Sequence, residues 1–506
     1  MEHYAAPAGL TSVRVRYSVI TLVILLFALT NVPWQLDDYD QAKQAYTSWE
    51  MVGQGHWLYQ HTPNEGVATK PPLVGWISAA LFEFTRWWEG AWRVPSFLAA
   101  LTILSLLARE GTVAYGATAG VIALSAFGLN LLSPRLATLV RTDLPLALVT
   151  FLVGLQIWQK IRSGERWTSR DRMIAFLCLT IAMMIKGPII YAFILPGLIA
   201  YQVLRRKSGA PNAWSGWWPW IVSLAIFLAW VIGGIVRQTG FYESVVIREF
   251  AGRFSETIHR PQPLYFYLPH LLHKFAPWSV LMIALVVVFW RKCDRPRIPM
   301  QPATLWLVCW SLGGLLLMSV IPSKRVDRIF PVVPPLCLLL GAQVAAAENA
   351  EWSRRNLRRW LTAALIFAGL FTGGYALGKV VSGFRENRDA LVRFARDVCR
   401  EVSNQHWQYG VVGGPEEGML LYLRRDHFLP EEVAIEKWRK GQLDALVVRN
   451  EPPRRWLELL PDAKVQLVSE KSSSVPQYSL FVRERQVRKT ALDIRHAAGT
   501  LRTAFP

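Results

Sequence analysis

The stretch "LVILLFALTNVPWQLDDYDQAKQAYTSWEMVGQGHW" (Leu22–Trp57) joins an apolar run to three closely spaced aspartates, Asp37, Asp38 and Asp40. The apolar run covers Tyr17–Pro33 and follows Arg14 and Arg16. No convincing small-x-small cleavage site closes it, so it reads as a retained membrane span rather than a signal peptide. The acids then stand at a membrane boundary. An acid on an outer loop is ordinarily just solvated, and Asp37 and Asp38 read as solvated or capping residues.

Comparable apolar runs recur almost to residue 381. The chain has 506 residues, is 52% hydrophobic, has a mean hydropathy of +0.23 and contains 23 Trp, which describes a polytopic membrane protein. Candidate spans cover roughly 17–33, 92–109, 112–129, 143–160, 172–185, 188–204, 216–236, 275–290, 303–320, 329–345 and 360–381. That is about 11 spans with room for up to about 13, several of them short for a hydrocarbon core of about 30 Å. The expected fold class is mainly α, a helix bundle over residues 1–381, with a small α/β domain over 382–485 and a basic tail over 486–506.

The formal charge of +20 could point to nucleic acid. Much of the basic excess instead sits in short segments between apolar runs, so no nucleic-acid partner is expected. Lys160–Arg172, Arg205–Lys207, Arg291–Arg297 and Arg354–Arg359 are such segments, and basic loops face the cytoplasm. The alternate loops then face out, and an odd number of spans places the C-terminal domain outside too. Cys178, Cys309 and Cys337 lie in apolar runs, Cys293 in a basic loop and Cys399 in the polar tail. Without CxxC pairs or Cys/His clusters, neither a disulfide framework nor a structural zinc motif is indicated.

The outward loops hold the chemistry. Residues 34–91 form a long first loop with Asp40 and Lys70; 130–142 hold Arg135 and Arg141 and end at Asp143. A short break follows at Lys186; 237–274 hold Glu249, Arg253 and His259; 321–328 hold Lys324, Arg325, Asp327 and Arg328. Acids and bases thus converge on one membrane face. Beyond residue 381, "DALVRFARDVCREV" (Asp389–Val402) reads as an amphipathic helix, and "YGVVGG" and "ALVVR" as short strands.

From Asp40 the pattern D-Q-A-K-Q-A…W-E-M-x-x-x-G-x-W leads into "TKPPLVGW" (Thr69–Trp76) and "AWRVPS" (Ala91–Ser96). There follow "RTDLPLAL" around Asp143, "IKGP" ending at Pro188, "REFAGRF" (Arg248–Phe254), "HRPQPLYFYLP" (His259–Pro269), "APWS" (Ala276–Ser279) and "SKRVDRIFPVVPP" (Ser323–Pro335). This ordered series, over about residues 10–345, resembles the lipid-linked-sugar glycosyltransferases of the protein O-mannosyltransferase and aminoarabinose-transferase superfamily, which have the GT-C fold.

The resemblance implies an inverting glycosyltransferase of the bacterial inner membrane with its site on the periplasmic side. The donor would be a polyprenyl-phosphate-linked sugar, and the acceptor a glycolipid such as lipid A, a glycan or a protein. It implies Asp40 as general base. A hydroxyl is a poor nucleophile, and a carboxylate in hydrogen-bond reach can take its proton as it attacks the anomeric carbon. Partial desolvation is expected to raise the Asp40 pKa.

The leaving phosphate needs fixed cations. Lys70 is the first candidate, stiffened by the Pro-Pro that follows; Lys186, Arg253, Lys324 and Arg328 are others, against the plainer reading of Lys70 as a snorkelling lysine and Lys186 as a span end. Asp143, at a re-entry into the membrane, would orient the acceptor or pair with Arg141 or Arg93. Glu249, His259, Tyr265 and Tyr267 are candidate acceptor or sugar contacts. The tyrosines could equally be an interfacial aromatic belt. His259 matches a family histidine associated with a divalent metal in some members, the only cofactor indicated.

The chain also departs from the pattern. The family's D-E pair is Asp40-Gln41, the acid often preceding the KPP lysine is Thr69, and a usual tyrosine is Arg328. Sugar and acceptor therefore stay open. So do two other classes: a transporter or flippase of a lipid-linked sugar, and a non-catalytic membrane scaffold. Charges at one face rather than deep in several spans favour an interfacial enzyme over a transporter.

Overall fold

The structure is a computed structural model. It describes residues 12–36, 39–206, 211–253, 261–292, 301–349, 354–414, 417–449, 453–460, 462–472 and 476–484. Asp37, Asp38, Cys293, His259 and the 486–506 tail lie outside the described residues.

Helices α1 (Val13–Leu29), α2 (Tyr39–Gln54) and α3 (Leu73–Thr85) open the chain, with a short hairpin of β1 (His61–Thr62) and β2 (Gly66–Val67) between the last two. Then come α4 (Val94–Tyr115), α5 (Ala117–Gly128), α6 (Ser133–Ala137), α7 (Asp143–Ser163), α8 (Ser169–Lys186), α9 (Ile189–Arg205) and α10 (Trp218–Arg237). A π-helical segment, Tyr242–Phe250, precedes α11 (Tyr267–Lys274) and α12 (Trp278–Lys292). α13 (Pro302–Val320), a 3-10 turn at Val326–Val332, α14 (Val333–Asn349) and α15 (Arg354–Arg385) complete the bundle.

The apolar segments marked in the sequence are mainly helical, although 112–129 is divided at Gly116 between α4 and α5 and 17–33 runs past the end of α1. Among the described residues, six helices are long and apolar enough to cross a membrane. The pair α11–α12, bent by 100°, could form a seventh crossing. Others, such as α5 and α9, are shorter. The protein is a multi-pass membrane protein, and large apolar side chains such as Ile221, Ile232 and Leu316 remain on the outer surface of the bundle.

Small residues let the helices meet closely, the usual basis of helix packing in lipid. A Cβ on Gly313 of α13 would lie 2.4 Å from the Gly197 nitrogen of α9, so the two backbones touch. Gly154 of α7 leaves the space that the Trp310 ring fills. Beside it, the Trp306 indole donates to the Gly154 carbonyl at 3.1 Å.

Beyond the bundle follow α16 (Ala390–Gln405), β3 (Tyr409–Val412), α17 (Glu417–Tyr422), α18 (Glu431–Arg439), β4 (Ala445–Arg449), α19 (Pro453–Leu459), β5 (Ala463–Val468) and β6 (Tyr478–Arg483). The sheet order is β3-β4-β6-β5: β3 and β4 are parallel, with Val411 opposite Val447, and the other pairs are antiparallel. This small α/β unit packs on the first loop of the bundle. Gly418 sits where a Cβ would be 2.8 Å from the Leu36 carbonyl, and Asn64 exchanges two 3.0 Å hydrogen bonds with the Phe428 backbone.

Candidate active site

The start of α2 places Asp40 in its first turn, where the helix dipole favours a negative charge. Lys70 stands just before α3, whose N-cap is Pro72. Both side chains line one cleft of about 410 Å³ at one end of the bundle. The start of α7 brings Asp143, the end of α8 Lys186, and the π-helical segment Arg248 and Glu249. The loop before α14 brings Arg325, Asp327 and Arg328. Seven basic and four acidic side chains line the space, so it has an excess of positive charge suited to an anion.

Arg325 Nη1 donates to Asp40 Oδ2 at 2.5 Å, and Arg141 Nη2 lies 3.9 Å from the same oxygen. Burial pushes the Asp40 carboxyl upward, but Lys70, Arg325 and Arg141 outweigh it and hold the group well below the usual carboxylate range. This corrects the expectation of a raised pKa: desolvation is present, and neighbouring cations win. Lys70 shows the opposite balance. Burial pulls its pKa below that of a free lysine, although Asp40, Asp143 and Glu249 favour the ammonium. Lys43, one turn along α2, is lowered by burial against Glu417, Glu249 and Asp40. Glu417 belongs to the C-terminal unit, which thus reaches the cleft electrostatically.

Asp143 does not take Arg141 or Arg93 as its close partner. Lys186 Nζ bonds its Oδ1 at 2.5 Å. Each member sits at the helix end whose dipole suits its charge, acid at the start of α7 and base at the end of α8. Arg141 instead donates to Asp327 at 2.8 Å, in a pair with side chains 7% and 10% exposed. Arg93 serves backbone, donating to the carbonyls of Thr138 at 2.7 Å and Gln35 at 3.1 Å. Gln41, where the resembled pattern carries an acid, accepts from the Val140 amide at 3.1 Å and does not line the cleft.

The structure brings together Asp40, Lys70, Asp143, Lys186, Glu249 and Arg328, the last also donating to the Ser323 carbonyl at 2.8 Å. It does not bring Lys324, Tyr265 or Tyr267 into the cleft lining. Lys324 donates to the Gln262 carbonyl at 2.8 Å. Arg325 has extended backbone (φ −139°, ψ 141°), and in extended chain successive side chains point opposite ways, so Arg325 faces Asp40 instead. Tyr265 is exposed and Tyr267 buried against Phe266, with ring centroids 5.4 Å apart. Arg253 ends a short 3-10 turn, and its side chain lies outside the description.

The sequence reading left Arg325, Asp327, Lys43 and Arg248 out of the candidate site. Their signal was the density of charge in the outer loops; backbone phase, invisible in the sequence, selects which of them face inward. At the two positions where the resemblance implies a divalent metal, the described residues offer no carboxylate beside Lys70 to hold it. His259 lies outside the described residues, and the residue before Lys70 is Thr69, which offers a neutral hydroxyl where the resembled pattern often has a carboxylate.

No family model matches the chain. Relatives named undecaprenyl phosphate-alpha-4-amino-4-deoxy-L-arabinose arabinosyl transferase do match. The one from Pectobacterium atrosepticum is 24% identical over 435 residues, covering 78% of this chain and 73% of the relative. The one from Sodalis glossinidius is 25% identical over 355 residues, covering 63% and 58%. Among solved structures, ArnT from Cupriavidus metallidurans bound to undecaprenyl phosphate superposes with a TM-score of 0.67 at 18% identity, covering 92% of this chain and 97% of that one. Its apo form gives a TM-score of 0.61 at 17% identity. The chain shares the fold of that protein.

Proposed function

We propose that the protein is an inverting membrane glycosyltransferase. It moves a sugar from a polyprenyl-phosphate donor to an acceptor hydroxyl at the periplasmic face of the inner membrane. The observation that carries this reading is the carboxylate of Asp40 set among Lys70, Arg325 and Arg141 in one anion-seeking cleft. The donor named in its relatives, undecaprenyl phosphate carrying 4-amino-4-deoxy-L-arabinose, is the first to test.

In this mechanism Lys70 and Arg325 bind the donor phosphate and stabilise the charge that grows on it as the glycosidic bond breaks. Arginine supplies a planar fork for two phosphate oxygens. The anomeric carbon acquires oxocarbenium character, and Asp40 faces it from the side opposite the phosphate. The acceptor hydroxyl attacks from that side, so configuration inverts, and its proton passes to Asp40. Donor binding also tunes the base. Once the phosphate occupies the cations that hold Asp40 ionised, its proton affinity rises toward what catalysis needs. The Asp143–Lys186 and Arg141–Asp327 pairs fix the walls.

The depressed pKa of Asp40 also favours a second acceptor class, an ionised phosphate, which needs no base. Asp40 would then act only by stabilising positive charge on the sugar. Mass spectrometry of lipid A, envelope glycans and glycoproteins from cells with and without the gene identifies sugar and acceptor together. An unchanged envelope, with no transfer from undecaprenyl-phosphate sugars by the purified protein in liposomes, overturns the proposal.

A further inference from the structure

The far end of α2 carries a second polar cluster that this reaction does not use. Glu50 lies in the last turns of α2 with its side chain only 4% exposed. Its Oε1 contacts His56 Nδ1 and lies 3.7 Å from His61 Nδ1. The two imidazole Nδ1 atoms are 2.9 Å apart. The other carboxylate oxygen, Oε2, is buried with no hydrogen-bond partner.

Tautomer chemistry sharpens this picture. His61 Nε2 lies 2.7 Å from Gln238 Oε1, at the end of α10. An amide oxygen only accepts, so His61 carries its proton on Nε2 and turns a bare Nδ1 lone pair toward His56 and Glu50. A single proton on His56 Nδ1 serves one of those two acceptors well. A cation between them serves all three donor atoms, which lie within 4.8 Å of one another.

We propose that Glu50, His56 and His61 form a binding site for one divalent transition-metal ion of zinc type. Two imidazoles and a carboxylate are the borderline donor set that zinc prefers, whereas calcium and magnesium take oxygen ligands. Tetrahedral bonds of about 2.0–2.2 Å put neighbouring ligand atoms roughly 3.3 Å apart. Two of the three separations, 2.9 and 3.7 Å, bracket that spacing, and the Glu50–His56 pair is closer still. Gln238 is the outer partner that fixes the orientation and tautomer of a metal-bound histidine. The His56 side chain is 44% exposed, leaving the remaining coordination position to water.

The ion would join the end of α2, the turn after it, β1 and, through Gln238, α10. Gln60, next to His61, lines the cleft, and β1 pairs with the strand that leads to Lys70. The metal is therefore a staple that sets the position of the Lys70 segment, and it touches no reacting atom. It shares no ligand with the metal that the resemblance associates with His259.

The test uses the full chain purified in nanodiscs, stripped with a chelator and reloaded with zinc or cobalt(II). One equivalent of zinc by elemental analysis, and the intense visible bands of four-coordinate cobalt, are expected. His56→Ala and His61→Ala should each lower metal affinity by more than about tenfold, Gln238→Ala by about tenfold, and His259→Ala not at all. Thermal unfolding of wild type should rise with zinc, and the rise should vanish in Glu50→Gln, a near-isosteric variant that guards against misfolding of the histidine variants. Substoichiometric metal in wild type, retention by the His56→Ala/His61→Ala double variant, or loss in His259→Ala overturns the proposal.

Discussion

Replacing Arg325 by alanine removes the contact that does most to distinguish this cleft from a generic charged pocket. The guanidinium donates to Asp40 at 2.5 Å, and the two side chains are 35% and 28% exposed. With charge centres roughly 4 Å apart, the Coulomb attraction is about 4 kcal/mol at an effective dielectric of about 20. Partial exposure screens it, leaving about 1–2 kcal/mol. That corresponds to about a tenfold change in the acid dissociation constant of Asp40. The sign follows from the ionised form losing a partner: the Asp40 pKa rises from its depressed position. Loss of one preorganised cation at the phosphate should also lower kcat by about 100-fold. The assay is the pH dependence of kcat/KM for transfer from an undecaprenyl-phosphate sugar in nanodiscs. The acid limb of Arg325→Ala should lie about one pH unit above that of wild type. An unmoved acid limb with an unchanged kcat would refute the linkage between Arg325, Asp40 and the donor phosphate.

Lys70→Ala should weaken undecaprenyl phosphate binding, measured by calorimetry, by about tenfold or more. In wild type that affinity should fall with rising pH at a point below 10.5, because burial depresses the Lys70 pKa and the ammonium is the binding form; Lys70→Arg should move the loss upward. Asp327→Ala strips Arg141 of its close carboxylate and should destabilise the fold by about 3 kcal/mol, read as a lowered midpoint of thermal unfolding. Gly313→Val forces apart two backbones in contact and should cost about 1–3 kcal/mol by the same measurement; a wild-type midpoint would contradict the α9–α13 approach.

The sequence made the bundle legible because long apolar runs have few other fates. The marked segments are mainly helical, although 112–129 is split at Gly116 between α4, which runs on to Tyr115, and α5, and α8 begins at Ser169. Apolar runs alone mark residues 34–91 as a loop, yet that stretch contains α2 and the 13-residue α3, too short to register as a span. Two strands of the C-terminal sheet were marked, whereas β5 and β6, a less punctuated pair, were not. The co-location of Asp40 and Lys70 was foreshadowed by loop alternation, which collects alternate loops at one end. What the sequence could not supply is partner choice. Lys324 and Arg325 are neighbours of like charge, and extended backbone sends one to a carbonyl and the other to Asp40. Arg141 and Asp327 are 186 positions apart, a pairing that only tertiary structure makes. The direction of the Asp40 pKa shift depends on those pairings, so an argument from burial alone gave the opposite sign.

The most direct measurement is single-turnover transfer by Asp40→Asn, with undecaprenyl phosphate affinity measured on the same preparation. Asparagine keeps the shape and removes the charge. Affinity should be undiminished or increased, because a negative neighbour of the phosphate is gone. Transfer should fall by about 100-fold or more. Wild-type turnover in this variant, with the donor bound normally, would remove Asp40 from the chemistry and contradict the account.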